Sequence, residues 1–359
     1  MNMKRTGLIL LIAGFLLAAC VQKPPVDAAQ PTPAIAEEQI AIALTEAPTA
    51  APTPAPTPTP TATPAPTETP TPEPTDTPAP TPDGLLGGDY DGFIEGEPVL
   101  SEWRYQSERV SVEVTRYDSS PLAKHLVYYV TDIHVQDIEA LRTASWDGKF
   151  SARGKKPWAK VERMAQAEDA IVAINGDYYT YHEKTGLVIR NGERYEPDPW
   201  KPWKGHQILL LYRDGSAEVF ESDSFDPLAT DLSNVWQAWE FGPNFLDENG
   251  KALSTFDKSY NDIARDNPRT VFGYFGPGHY CFVTVDGRKK GTTDGLTLAE
   301  TAQLMESLGC VIAFNLDGGQ TTQLYWNGAI ANEPFRGGRS TSDIICIVEP
   351  HADSADPVE

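Results

Sequence analysis

The chain has 359 residues, 51 of them acidic and 29 basic, for a formal net charge of −22 at neutral pH. An acidic chain without a basic run is a poor partner for nucleic acid or anionic lipid, so neither is expected to bind it. Its four cysteines, scattered rather than regularly spaced, argue against a disulfide-stapled scaffold.

The N-terminus carries Lys4 and Arg5, followed by an apolar run from Gly7 to Leu17. A membrane span needs about 20 apolar residues, so this run reads as the apolar part of a signal peptide. Small residues then lead into a cysteine in Leu17-Ala18-Ala19-Cys20, which resembles the lipobox of bacterial lipoproteins. That resemblance implies removal of residues 1–19 and lipidation of Cys20, with the chain anchored at the cell surface through that lipid alone. The competing reading is an ordinary signal peptide that ends in a chance cysteine.

Residues 20–95 read as a disordered linker. From Pro48 to Pro82 proline recurs every second or third residue, and residues 21–99 hold twelve acidic side chains against one lysine. Proline removes a backbone donor and fixes φ, so neither helix nor sheet forms. At about 3.1 Å per residue in polyproline II, this stretch reaches on the order of 100 Å, which makes it a stalk. Residues 96–359 then suffice for one globular domain, expected to be monomeric.

Within that domain the signals alternate between strand and helix. Val110-Ser111-Val112-Glu113-Val114 alternates as a half-buried strand, and Leu126 to Val130 reads as another. Asn191-Gly192, Asp214-Gly215, Asn249-Gly250, Asp286-Gly287 and Asn327-Gly328 predict tight turns, with the hairpin clearest around Asp214-Gly215 from Leu209 to Phe220. Pro157 to Glu168 predicts a helix whose apolar face is Val161, Met164 and Ala165, feeding a strand from Ala170 to Ile174. A second helix opens on Thr297 and Glu300 as a capping box and ends at Gly309, feeding a strand from Val311 to Leu316. Cys281, Cys310 and Cys346 sit in apolar runs and read as buried thiols. The expected fold class is α+β, a mixed β-sheet core with packed helices in a single globular domain.

Each helix–strand unit ends in a polar cluster, Asn175-Gly176-Asp177-Tyr178-Tyr179 in the first and Asn315-Leu316-Asp317-Gly318-Gly319-Gln320-Thr321-Thr322 in the second. With Arg269-Thr270-Val271-Phe272-Gly273, Val283 to Arg288, the helix at Thr297, and Arg339 before the apolar run to Val348, the chain from about Ala170 resembles the phosphodiester glycosidase domain family. It departs in two places. The family commonly has Gly-Gly-Gly-Ser where Gln320 and Thr321 follow Gly318-Gly319, and Asn-Gly-Gly where Asp177 follows Asn175-Gly176.

The resemblance implies hydrolysis of the glycosidic bond of a sugar 1-phosphodiester, without a cofactor. Phosphate is a weakly basic leaving group, so a strong general acid matters less than a cradle for the phosphoryl oxygens and a carboxylate at the anomeric carbon. Asp317, Asp177 and Arg269 are the candidate catalytic residues. Asn175, Gly176, Asn315, Gly318, Gly319, Thr321 and Arg339 are the candidate substrate contacts, with Arg269 and Arg339 able to fork onto phosphate. Read without the resemblance, Asp317-Gly318-Gly319 and Asn175-Gly176 are turns, Arg288 is a solvated hairpin residue, His182 a surface histidine, and Trp200, Trp203, Trp236 and Trp239 core or cover. The many Asp and Asn residues leave metal binding open, but no calcium-loop motif is present and no cysteine has zinc-ligand spacing, so no metal ligands are assigned. The other function class that fits is a non-catalytic surface lipoprotein that binds carbohydrate or a cell-envelope polymer.

Overall fold

The computed structural model describes residues 85–88, 90–118, 124–146, 148, 150, 158–179, 186–195 and 201–350. The expectations on the signal segment, Cys20, the stalk to residue 84, Pro157, His182 and Trp200 fall outside the described residues.

Among the described residues, most strands fall in three antiparallel sheets. The largest runs, in spatial order, Val99–Leu100, Arg104–Gln106, Val110–Tyr117, Tyr128–Val135, His279–Val285, Arg269–Gly276 and Ile312–Asn315. A second orders Ala217–Glu221, Gln207–Tyr212, Val235–Phe241, Ile189–Arg190 and Glu193–Arg194. The third orders Ala329–Ile330, Leu324–Trp326, Val172–Asn175, Ile344–Ile347 and Leu141–Ala144. Where a mixed sheet was expected, every described strand pair is antiparallel. The reason is that the strand before each helix does not pair with the strand after it, so no parallel βαβ unit forms: Ile312–Asn315 pairs with Arg269–Gly276 rather than with His279–Val285, and Val172–Asn175 pairs with Leu324–Trp326 and Ile344–Ile347 rather than with Leu141–Ala144.

The local turn and cap signals act as their chemistry dictates. Asp214-Gly215 closes the hairpin of Gln207–Tyr212 with Ala217–Glu221, and Asn191-Gly192 and Asn327-Gly328 take the positive φ that tight hairpins require. Asp286-Gly287 behaves differently. Gly287 keeps an ordinary φ, and a Cβ there would meet Pro268 N at 2.8 Å, so this glycine permits a close backbone crossing rather than a tight turn.

The helix Leu298–Leu308 has the full capping box, with Glu300 N donating to Thr297 Oγ1 at 3.2 Å and Thr297 N to Glu300 Oε2 at 2.9 Å. Gly309 terminates it in the left-handed region. Its buried Leu298, Ala302, Leu304 and Met305 belong to one apolar cluster with Val271, Cys281, Val283 and Ala313. The shorter helix Val161–Ala167 buries Val161, Met164 and Ala165, the face expected, in a cluster with Ala173, Tyr325, Ile344 and Cys346. A third cluster brings together residues of all three sheets, including Ile133, Phe272 and Phe314, Leu209 and Trp239, and Ile174 and Ile345. Each such side chain, once fully buried, contributes about 1.5–3 kcal/mol. Trp236 and Trp239 are core residues, and Trp203 is half-buried and stacked on His206. Cys281, Cys310 and Cys346 are buried free thiols.

Sheet register carries the polar clusters to one end of the molecule. Asn315 closes its strand directly across from Val271, two residues after Arg269 opens the neighbouring one. Asn175 closes its own strand in the third sheet and bridges to the first, accepting on Oδ1 from Thr270 Oγ1 at 2.9 Å.

Candidate active site

Beyond Asn315 the chain turns across the strand that begins at Arg269. Gly318 and Gly319 pass so close to Pro268 that a Cβ on Gly318 would meet Pro268 O at 2.8 Å. Gly319 N donates to that same carbonyl at 2.9 Å, and Gly319 adopts φ +66, where side chains are strained. The close crossing leaves a cleft of about 320 Å³, lined by Phe241, Asp262, Ile263, Asn267, Arg269, Arg288, Asn315, Asp317 to Gln320, and Arg339.

Asp317 is the buried carboxylate of this cleft, 7% exposed. Its Oδ2 accepts from Arg339 Nη2 at 2.6 Å and from Thr321 Oγ1 at 2.8 Å, and no side-chain donor among the described residues reaches Oδ1. Arg339 also donates through Nε to Thr321 Oγ1 and lies over the Tyr178 ring at 4.8 Å. Burial pushes the Asp317 carboxyl above the usual carboxylate range, against the opposing pull of the Arg339 charge and the Thr321 hydroxyl.

Two further arginines line the cleft. Arg269 is 2% exposed and makes no ion pair with any carboxylate among the described residues. Its Nε donates to Leu296 O at 2.9 Å, and its Nη2 to Ile263 O and Arg265 O at 2.7 and 2.8 Å. Burial brings it down to about 10, so it remains a cation at neutral pH. Arg288 is exposed, as a hairpin residue would be, yet its Nε and Nη2 both donate to Asn267 Oδ1, and a Cβ on Gly319 would stand 3.0 Å from its Nη2. Gly319 thus leaves room for a guanidinium beside Asp317. Asn315 donates from Nδ2 to Gly242 O at 2.9 Å, while its buried Oδ1 has no hydrogen-bond partner among the described residues.

The other polar cluster lies behind this cleft rather than in it. Asn175 is wholly buried and ties the clusters together, donating from Nδ2 to Asp317 O at 2.6 Å. Gly176 admits a neighbour, since a Cβ there would fall 2.1 Å from Asp343 Oδ1. Asp177, at 0% exposure, accepts from Arg190 Nη2 on both oxygens at 2.9 Å and also from the backbone N–H groups of Tyr179 and Glu240. Arg190 is fully buried too, and its Nε reaches Asp343 Oδ2 at 3.1 Å. Burial, with Arg190 opposing it, pushes the Asp343 carboxyl up to about 7. Nearby Glu240 is likewise pushed up to about 7 by burial, despite donation from Ser222 and the Leu187 and Trp203 N–H groups.

Of the residues singled out in the sequence, Asp317, Arg269, Asn315, Gly318, Gly319 and Arg339 therefore line one cleft. Thr321 supports Asp317 from beneath, and Asn175, Gly176 and Asp177 do not line it. Sequence reasoning passed over Arg190 and Asp343. Their signal was present, because Arg190 ends the run Leu187-Val188-Ile189 and Asp343 opens Ile344-Ile345-Cys346-Ile347. A charge set into a buried apolar run requires a partner of opposite sign.

The chain is similar to several known proteins. Over 240 residues the chain is 26% identical to the SPbeta prophage-derived uncharacterized protein YomE of Bacillus subtilis strain 168, covering 63% of this chain and 37% of that protein. It is 26% identical over 247 residues to human N-acetylglucosamine-1-phosphodiester alpha-N-acetylglucosaminidase, covering 61% of this chain and 46% of the human protein. It thus spans less than half the length of either relative. The catalytic domain of the zebrafish enzyme of the same name, auto-inhibited by its pro-peptide, shares the fold at a TM-score of 0.53 and 19% identity, over 68% of this chain and 85% of that one. The phosphodiester glycosidase family model matches residues 168–348, and the chain belongs to that family.

Proposed function

We propose that this chain is an extracytoplasmic hydrolase that cleaves the glycosidic bond of a sugar 1-phosphodiester in a surface or cell-wall glycan. The observation that carries the reading is a buried carboxylate, Asp317, sharing one cleft with three arginines, Arg269, Arg288 and Arg339. The phosphodiester anion takes the arginine side, where Arg288 and Arg339 face it and Arg269 adds a buried charge without a carboxylate partner among the described residues. Asp317 then stands beside the anomeric carbon, its Oδ2 held by Arg339 and Thr321, and stabilises the positive charge that develops as the C–O bond to phosphate breaks. The departing phosphomonoester is a weak base and needs little protonation. Asp262, a second carboxylate on the cleft wall, is the candidate for orienting water. Asp177 takes a positioning role in this reading, because its oxygens are committed to Arg190 and to backbone donors.

Localisation follows from the Leu17-Ala18-Ala19-Cys20 motif and the proline-rich stalk, which would hold a monomeric domain off the membrane by the Cys20 lipid. The second reading, a surface module that binds glycan without cleaving it, draws on Gln320, a cleft residue that departs from the family pattern. Incubating the chain with a panel of sugar 1-phosphodiesters separates the two. Hydrolysis releases free sugar and a phosphomonoester. A folded chain that turns over no member of the panel, yet retains glycan, would replace the enzyme reading with the binding one.

A further inference from the structure

A second polar cluster lies at the far end of the seven-stranded sheet. His279 is directly across from His134, and Cys281 across from Asp132. Residues two apart on a strand share a face, so Asp132 and His134 project together with His279 beside them. Asp132 Oδ1 lies 2.8 Å from His279 Nε2, and its Oδ2 lies 3.3 Å from His134 Nε2. One potential ligand atom from each residue falls within 4.8 Å of the other two. In the hairpin that carries the cleft, Arg269 pairs with Val285 whereas His279 pairs with Gly276. Six residue steps therefore separate this cluster from the catalytic end, roughly 20 Å along a strand.

We propose that Asp132, His134 and His279 form a binding site for a divalent transition-metal ion of the zinc class. Two imidazoles and one carboxylate are the donor set that zinc, nickel and copper prefer, whereas calcium and magnesium take oxygen ligands. Tetrahedral coordination with bonds of about 2.0–2.1 Å sets ligand atoms roughly 3.3 Å apart; the 2.8 and 3.3 Å nitrogen–oxygen separations run to different oxygens of Asp132, so a small rotation of that carboxylate and of His279 would bring one oxygen and both nitrogens to a single ion. The ion takes the place of the protons that the imidazoles share with Asp132. Each imidazole then binds as a neutral ligand, its proton passing to the other ring nitrogen or to solvent. The partly exposed Asp132 and His279 leave the remaining position open to water.

The surrounding rings set both the structural change and the affinity. Tyr90 stacks on His134 at 3.5 Å, His134 on His279 at 3.9 Å, and Phe275 on His279 at 4.2 Å. To aim both nitrogens at one ion, the more exposed His279 ring must tilt out of this stack. Among the described residues His134 Nδ1 is buried without a hydrogen-bond partner, so the ring lacks the outer contact that usually orients a ligating imidazole, an omission worth about 10- to 100-fold in affinity. Metal would fix the ring on which Tyr90 rests, and with it the segment entering the domain.

The test is titration of the full, untagged chain with zinc chloride, followed by calorimetry and thermal unfolding. One equivalent should bind and raise the midpoint, and His279→Ala and Asp132→Asn should each weaken uptake at least tenfold and abolish the shift. Copper(II) on the wild-type chain should show coupling to two nitrogens, a readout that holds even if a variant fails to fold. Turnover at the distant cleft should be unchanged in His279→Ala. Absence of saturable uptake at one equivalent, or uptake that both variants retain, would overturn the assignment. The second result would move the ion elsewhere, such as to exposed Asp118 and His125, whose Oδ1 and Nε2 lie 3.0 Å apart.

Discussion

Two groups of the same residue types, carboxylates paired with arginine, sit a few residues apart in this fold and face opposite demands. Asp317 with Arg339 opens onto a cleft, its carboxylate 7% exposed and its arginine half-buried. Asp177 with Arg190 and Asp343 is sealed, every member at 0% exposure. In the cleft the charges exceed what the protein needs for itself: three arginines meet two carboxylates, and an anion from outside completes the set. In the sealed group two carboxylates share one guanidinium, backbone N–H groups complete Asp177, and the Ser342 hydroxyl reaches Asp343. The first arrangement suits catalysis, whereas the second holds three sheet segments in register. Residue type does not separate them. Whether the partner set is complete does.

Breaking the sealed group should give the largest effect. Arg190→Met leaves Asp177 and Asp343 buried without their cation, and removing one partner of such a network costs about 3–5 kcal/mol. Denaturant melts should show that loss. A change below about 1 kcal/mol would mean that the two carboxyls do not depend on Arg190.

A smaller effect, on function rather than folding, is expected from Arg339→Met. Burial already raises the Asp317 carboxyl, and the Arg339 charge opposes that rise. Without the charge Asp317 takes up its proton at higher pH, so the acid limb of kcat/KM should move upward in pH, with a drop in thermal midpoint at neutral pH smaller than that of Arg190→Met because Arg339 is half-buried. An acid limb that stays in place would show that Asp317 is not the group titrating there.

The contrast between the two groups also marks how far the sequence could be read. Local chemistry was legible. Thr297 with Glu300 and Gly309 delimits a helix through contacts within one turn, and Asn191-Gly192 specifies its hairpin through backbone φ alone. The placement of Asp317, Gly318 and Gly319 at a strand end was legible for the same reason. Pairing between remote strands was not. Nothing within Val172–Asn175 announces neighbours about 150 residues away, and so the antiparallel order of the third sheet stayed hidden. The two polar clusters looked equivalent because the burial that distinguishes Asp177 comes from Arg190, Glu240 and Asp343, each from a different part of the chain. Arg269 reads from sequence as a phosphate fork, yet much of its donor capacity goes to the carbonyls of Ile263, Arg265 and Leu296, contacts that only the folded loop creates.

The most direct test of the division between cleft and core is a paired measurement on Asp317→Asn and Asp177→Asn, each assayed for release of sugar from a sugar 1-phosphodiester and for its thermal midpoint. Asp317→Asn should keep its midpoint while turnover falls by roughly 10²- to 10⁴-fold. Asp177→Asn should lower the midpoint, by about 3 kcal/mol of stability, while the molecules still folded turn over substrate close to the wild-type rate. Full turnover in a folded Asp317→Asn chain, with turnover abolished in a folded Asp177→Asn chain, would contradict the account.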